Sequence, residues 1–167
     1  MQTRTKIQSE RFASCKENMD YDEALLGDLA PGLRMFRLYS WERPGITYSY
    51  KQSVPEDLSD VDHASRITGG GIVFHSPGDI LFSIFGFLDD PIFPSKMKDK
   101  MLWTQTLVQE AFAELGENLM PDTVEGEAQK NIDFCKTYHN PYELHKDGEK
   151  VLALTLRKKR DRLDRKS

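Results

Sequence analysis

Cysteine is nearly absent from this 167-residue chain: Cys15 and Cys135 are its only two, far apart and without metal-ligand spacing. Such a pair reads as two free thiols, not as a disulfide or a metal site. Long apolar runs are missing as well. Nothing approaches the roughly 20 apolar residues that span a bilayer, and the polar start, Met1 to Glu10, lacks the apolar segment of a signal peptide. The expected location is therefore the cytoplasm, with no membrane partner. Internal repeats and low-complexity tracts are absent too. What is present, 38% hydrophobic and 30% charged residues, suits one globular domain with a real core.

Positive charge is scarce except at the end. Residues 157–167 hold seven Lys/Arg and two Asp, a net +5, so the preceding 156 residues carry −9 of the total −4. The chain therefore divides into a domain over 1–156 and a basic C-terminal tail over 157–167. A nucleic-acid partner is disfavoured, because Asp161 and Asp164 interrupt the basic run and no aromatic residue accompanies it. A solvated tail is the plainer reading, and steering of an acidic protein partner is a further one.

Residues 8–30 carry a helix signal, with Met19, Leu25, Leu26 and Leu29 near helical spacing, and Pro31-Gly32 ends it. Leu33 to Trp41 alternates, with Leu33, Met35, Arg37, Tyr39 and Trp41 on one side, as in a strand. Pro44-Gly45 predicts a turn and Ile46 to Tyr50 a returning strand. Ser53 to Ala64 reads as a connection, and Asp79 to Phe85 as another alternating strand. Ser95 is placed to cap a helix running to about Leu115, with Gly116 just past its end. The stripe Met97, Met101, Leu102, Val108, Phe112 and Leu115 on that helix predicts core packing. Glu117 to Lys130 reads as a loop.

One stretch concentrates the chemistry: Arg66-Ile67-Thr68-Gly69-Gly70-Gly71-Ile72-Val73-Phe74-His75. A glycine triplet leaves no Cβ between backbone and ligand and tolerates positive φ, so neighbouring N–H groups can converge on an anion or a developing oxyanion. A glycine triplet alone is more often a tight turn. Here an arginine precedes it and a histidine follows it.

Two further blocks accompany this one. Upstream, Asn18 to Leu26 leads to Arg37-Leu38-Tyr39-Ser40-Trp41-Glu42-Arg43-Pro44 and then Thr47 and Gln52; downstream come Cys135, Tyr142-Glu143-Leu144 and Gly148-Glu149-Lys150-Val151. Taken together, the sequence resembles the biotin/lipoate protein ligase superfamily, in its lipoate-protein ligase and octanoyltransferase branch. The family block is Arg-Arg-x-Ser/Thr-Gly-Gly-Gly-Ala-Val-x-His, with Ser65 here in place of its first arginine and Ile72 in place of its alanine. The implied fold is α/β or α+β, a mixed β-sheet with helices packed against it. The resemblance implies substrate binding by Trp41, Arg66, Gly69, Gly70, Gly71 and His75, and catalysis by Cys135 and Lys150. His75 is a candidate for polarising groups at the reacting centre.

In the octanoyltransferase branch the nucleophilic cysteine stands seven residues before the tyrosine of a Tyr-Glu-Leu run, the spacing of Cys135 and Tyr142. A thiol with pKa about 8.5 is mostly protonated at neutral pH, and a nearby ammonium such as Lys150 favours the thiolate. The resemblance then implies octanoyl or lipoyl transfer to a lysine of a lipoyl domain through a Cys135 thioester. That route needs no cofactor and takes an acyl carrier protein or another lipoyl domain as donor. The alternative is an ATP-dependent lipoate ligase, using ATP and Mg2+, in which the glycines cradle phosphates and Lys150 holds the acyl-adenylate.

Several positions depart from the family pattern. Ser49 replaces a glycine, which implies a differently shaped acyl pocket. Ala153 and Thr155 replace the Gly and Ala of a Gly-x-Ala step and add methyl groups at a close backbone approach. The family also continues past this point with further strands. A fragment, a subunit completed by a second polypeptide and a non-catalytic acyl- or lipoyl-domain-binding protein all fit those departures.

Overall fold

Where the first helix begins is decided by Ser14. In the computed structural model, which describes residues 4–121 and 141–158, the Ser14 hydroxyl accepts from the Glu17 N–H at 3.3 Å, and the Glu17 carboxylate accepts from the Ser14 N–H at 3.0 Å. This reciprocal pair is a capping box. Helix α1 therefore spans Cys15–Asp28, and the residues before it form strand β1, Arg4–Ala13. The helix expected from residue 8 is corrected accordingly. β1 carries few apolar residues and its Ile7 is 74% exposed, so no alternation marks it; it is held by parallel pairing to strand β2.

Strand β2, Leu33–Trp41, follows the expected alternation: Met35, Arg37, Tyr39 and Trp41 are buried. It pairs antiparallel with β6, Leu81–Phe85. That strand starts later than the expected Asp79, because the Asp79 carboxylate accepts from the Ser76 N–H at 2.8 Å and closes a turn. The first sheet thus has the order β1-β2-β6.

The second sheet has the order β4-β3-β5, from β3 (Gly45–Ser49), β4 (Asp62–Arg66) and β5 (Val73–His75). β3 runs parallel to β4 and antiparallel to β5. The segment expected as a connection, 53–64, therefore ends inside a strand; Ala64 is the sole apolar residue of β4, too few to show as a pattern. The third sheet is antiparallel, β7-β8-β9, from Met120–Pro121, Leu144–Lys146 and Glu149–Leu152. Its β8–β9 turn uses Asp147 and Gly148 at φ 52° and 85°, the two left-handed residues of a tight hairpin.

Helix α2 spans Met97–Glu114, and its N-cap is Lys96 without a side-chain bond, not Ser95. Its far end is as expected. Gly116, at φ 82°, donates to the Ala113 carbonyl at 3.0 Å and Glu117 to the Phe112 carbonyl at 2.9 Å, a Schellman closure. The apolar stripe packs only in part. Met101 and Val108 are half-buried on the face of buried Thr104 and Gln105, whereas Met97, Leu102, Phe112 and Leu115 are exposed. The Gln105 amide donates to the carbonyls of Pro141 (3.0 Å) and Glu143 (3.3 Å), and Gln109 donates to that of Leu119 (2.9 Å). Among the described contacts, amide-to-backbone bonds tie α2 to the third sheet.

The described core lies under α1. Cys15, Met19, Tyr39, Trp41 and Ala64 form an apolar cluster joining helix, first sheet and second sheet. Beside it, Arg37 donates to the Asp22 carboxylate at 2.6 Å and to Asn18 Oδ1 at 2.7 Å, and lies 3.9 Å from the Tyr39 ring centroid. Ser83 donates to Asp22 from β6 at 2.7 Å. Among the described residues, two mixed sheets, an antiparallel one and two helices make this an α+β fold, as expected. No described helix is long and apolar enough to cross a membrane.

Candidate functional site

The glycine loop is held by Arg66, the last residue of β4. Its guanidinium donates to the carbonyls of Gly69 (2.8 Å) and Gly71 (2.6 Å), and through its other nitrogen to the Thr47 carbonyl of β3 (2.9 Å). Gly70 between them adopts φ 96°, and a Cβ there would stand 3.0 Å from the guanidinium. The described peptides, those of the loop included, are all trans. Across a trans peptide the C=O of one residue and the N–H of the next point in opposite directions. With the Gly69 and Gly71 carbonyls turned to Arg66, the N–H groups of Gly70 and Ile72 face away from it. Arg66, expected among the substrate-binding residues, is thus bonded to backbone carbonyls of the loop and of β3.

His75 and Trp41 join the same cluster. His75 Nε2 shares a 2.9 Å hydrogen bond with Thr47 Oγ1, and the imidazole lies 4.3 Å from the fully buried Trp41 ring. Burial, with the nearby Arg66 charge adding to it, pushes the His75 pKa down to about 4 against the opposing pull of Asp79. The ring is therefore neutral at physiological pH and can only offer a neutral N–H or lone pair. Thr47 is the residue that binds these parts. Its carbonyl takes Arg66 and its hydroxyl takes His75, a role with no signal in the sequence beyond its place in the Thr47 to Gln52 run.

Lys150 has a different setting. Its ammonium lies 2.8 Å from the Glu143 carboxylate across the β8–β9 hairpin, and both side chains are largely buried. The Tyr-Glu-Leu run and the lysine strand are thus tied by one ion pair, with Glu143 the partner that sequence reasoning passed over. Cys135 lies outside the described residues. The other thiol, Cys15, is fully buried, and desolvation followed by the Asp62 charge pushes its pKa up to about 12. It is packed as an inert thiol. Among the described residues no group of three or more His, Cys, Asp or Glu is placed to hold a metal ion.

Three of the departures from the family pattern have visible consequences. The Ser49 hydroxyl accepts from the Lys51 N–H at 3.3 Å, so it serves a local turn. Thr155 donates to the Gly69 carbonyl at 3.1 Å. Ser65 lines a cleft of about 410 Å³ that adjoins the glycine loop at Arg66 and Ile67 and is rimmed by Tyr48, His63 and Arg157. Arg157, the first residue of the basic tail, donates to the Ile67 carbonyl at 2.5 Å and lies 4.5 Å from the Tyr50 ring centroid.

Comparison with known proteins gives this geometry a context. Residues 14–163 match the lipoyl protein ligase A/B catalytic domain. The chain is 28% identical to octanoyltransferase LipM of Carboxydothermus hydrogenoformans over 149 residues, which cover 82% of this chain and 54% of that protein. Its fold is similar to the crystal structure of lipoate-protein ligase A bound with ATP, with TM-score 0.60 and 22% identity over 78% of this chain and 54% of the other. It is also similar to a structure from the archaeal lipoylation system of Thermoplasma acidophilum, described as a bi-partite lipoate protein ligase and its E2 lipoyl domain. There the TM-score is 0.54 and identity 21%, over 73% of this chain and 49% of the other. The chain thus spans about half the length of these relatives.

Proposed function

The chain belongs to the lipoyl protein ligase A/B catalytic-domain family, and from that premise we propose that it transfers an octanoyl or lipoyl group to a lysine of a lipoyl domain through a thioester on Cys135. The observation that carries this reading is the Arg66 clamp, which turns the Gly70 and Ile72 N–H groups away from the guanidinium. Donors so fixed suit the oxyanion of an acyl group under attack, and need no reorganisation as charge develops.

In this reading the Cys135 thiolate attacks the thioester carbonyl of the donor. The tetrahedral intermediate collapses by breaking the donor's C–S bond, and the departing thiolate takes up a proton. The acceptor lysine, as the neutral amine, then attacks the Cys135 thioester. An amide forms, the Cys135 thiolate leaves and the amine proton passes to solvent. Both steps draw on thioester chemistry, so ATP is not needed. Lys150, held by Glu143 at 2.8 Å, supplies the cation of the site. The preference for this route over an adenylate rests on Cys135 standing seven residues before Tyr142, together with the similarity to LipM.

The second reading is an ATP-dependent ligase. It is favoured by the fold likeness to an ATP-bound lipoate-protein ligase A, and would bring ATP and Mg2+ to the glycine loop. As in the bi-partite archaeal relative, a second polypeptide would complete the site, and an E2-type lipoyl domain would be the partner. Intact mass spectrometry of the wild type and Cys135→Ser after exposure to octanoyl-acyl carrier protein, with and without a lipoyl domain, tests the proposal. An octanoyl-sized increase on the wild type alone, discharged to the lipoyl domain, is expected. Transfer from free lipoate only when ATP is added would install the ligase reading. No transfer in either assay would leave a binding protein.

A further inference from the structure

The segment after β9 returns to the glycine loop and holds it from a second direction. Along the loop alternate carbonyls are each taken by a side chain: Ile67 by Arg157 at 2.5 Å, Gly69 by Arg66 at 2.8 Å and by Thr155 at 3.1 Å, and Gly71 by Arg66 at 2.6 Å. The Gly69 carbonyl therefore uses both lone pairs, one on the buried guanidinium and one on an exposed hydroxyl. Arg157 seats the segment that presents the hydroxyl, between the Ile67 carbonyl and the Tyr50 ring. A carbonyl accepting two bonds polarises its own amide, which makes the attached N–H a better donor. That N–H belongs to Gly70, at φ 96°, facing away from Arg66.

We propose that Thr155 is a positioning residue: its hydroxyl, seated by Arg157, fixes and polarises the Gly69–Gly70 peptide so that the Gly70 N–H is the principal donor of the site. What that N–H stabilises, the oxyanion of an acyl thioester, rests on the acyl-transfer reading above; the holding of the loop does not. A threonine at this position thus acts through its oxygen. The methyl group is incidental.

Three variants of the full chain separate oxygen from bulk. Thr155→Val keeps the shape and loses the donor, Thr155→Ser keeps the donor and loses the methyl, and Thr155→Ala loses both. The first readout is independent of activity: the carbonyl-carbon chemical shift of Gly69 and the amide shifts of Gly70. Val and Ala are expected to move these signals together, with Ser at the wild-type position. The second readout is octanoyl transfer to a lipoyl domain, where Val is expected to lower kcat about tenfold with KM little changed, a modest share of what losing an oxyanion donor outright costs. A wild-type Gly69 and Gly70 signature in Val, or Ser tracking Ala, overturns the proposal. If the shifts behave as expected while the wild type transfers no acyl group, the positioning role stands and the acyl-transfer reading falls.

Discussion

Around α1 and the glycine loop, polar groups lie buried and bonded to one another; along α2, Thr104 and Gln105 are the buried residues while several apolar side chains lie exposed. Arg37 is 2% exposed and Arg66 8%, whereas Leu115 at the end of α2 is 77% exposed. In the first region a side chain's worth depends on the partner it would strand. In the second it depends on little that the described residues contain. Stability should therefore be distributed unevenly, and substitutions can break or sharpen that contrast.

The largest effect is expected at Arg37→Met. The guanidinium is bonded to Asp22 at 2.6 Å and to Asn18 at 2.7 Å, and removing it leaves the Asp22 carboxylate buried. Loss of one partner of a buried pair costs about 3–5 kcal/mol. Urea unfolding of the variant should show that loss as a lower midpoint. A change below about 1 kcal/mol would mean the pair behaves as a surface one, and the contrast between the regions would fail.

Next comes pH. His75 titrates at about 4 in the folded chain against about 6.5 when unfolded. Its folded value is depressed, so between those limits the unfolded state holds more protons and stability rises with pH. The contribution is full above about 6.5 and is lost as pH falls towards 4, on the order of 3 kcal/mol in all. His75→Gln should flatten the urea-unfolding profile across this window relative to the wild type. An unchanged slope would show that another group governs acid sensitivity.

A smaller loss is expected at Gly45→Ala. A Cβ at this position in β3 would meet Cys15 Sγ at 2.5 Å and the Asp62 carbonyl oxygen at 2.7 Å. The sulfur belongs to a fully buried side chain and the oxygen to the neighbouring strand, so relief requires β3 and α1 to move apart. Overpacking of this kind costs about 1–3 kcal/mol. Thermal unfolding gives the measurement, and a wild-type midpoint would show that α1 and β3 slide apart freely.

How much of this was legible in the sequence differs by element. β2 was readable to the residue, because Met35, Arg37, Tyr39 and Trp41 alternate with half-buried neighbours. The glycine block stood out as a candidate site because its residue types have few other uses together. Its inner workings were not: Thr47 sits 28 residues from His75 and 19 from Arg66, and only the pairing of β3 with β4 and β5 brings them together. β1 and β4 escaped because their strand character comes from partners, not from their own alternation. Thr155 was visible as a departure from the family pattern, but that its hydroxyl would find Gly69, 86 positions earlier, depends on the path of the chain after β9.

Helix α2 buries its expected stripe only at Met101 and Val108, beside Thr104 and Gln105, and leaves the rest exposed; the reason gives the smallest predicted effect. Periodicity locates an apolar stripe but does not say what stands opposite it; here the burial falls to Gln105, whose amide reaches the carbonyls of Pro141 and Glu143. Phe112→Ser and Leu115→Ser should therefore change the stability of the chain by no more than about 0.5 kcal/mol, as at ordinary exposed positions. Gln105→Leu should cost about 1–3 kcal/mol, because it takes the Gln105 donor from the buried Glu143 carbonyl. Measured side by side in urea, this ordering opposes what an apolar stripe packed in a core would give. A loss at Leu115 larger than that at Gln105 would mean that the stripe is covered in solution, and the two regions of the molecule would then follow the same rule.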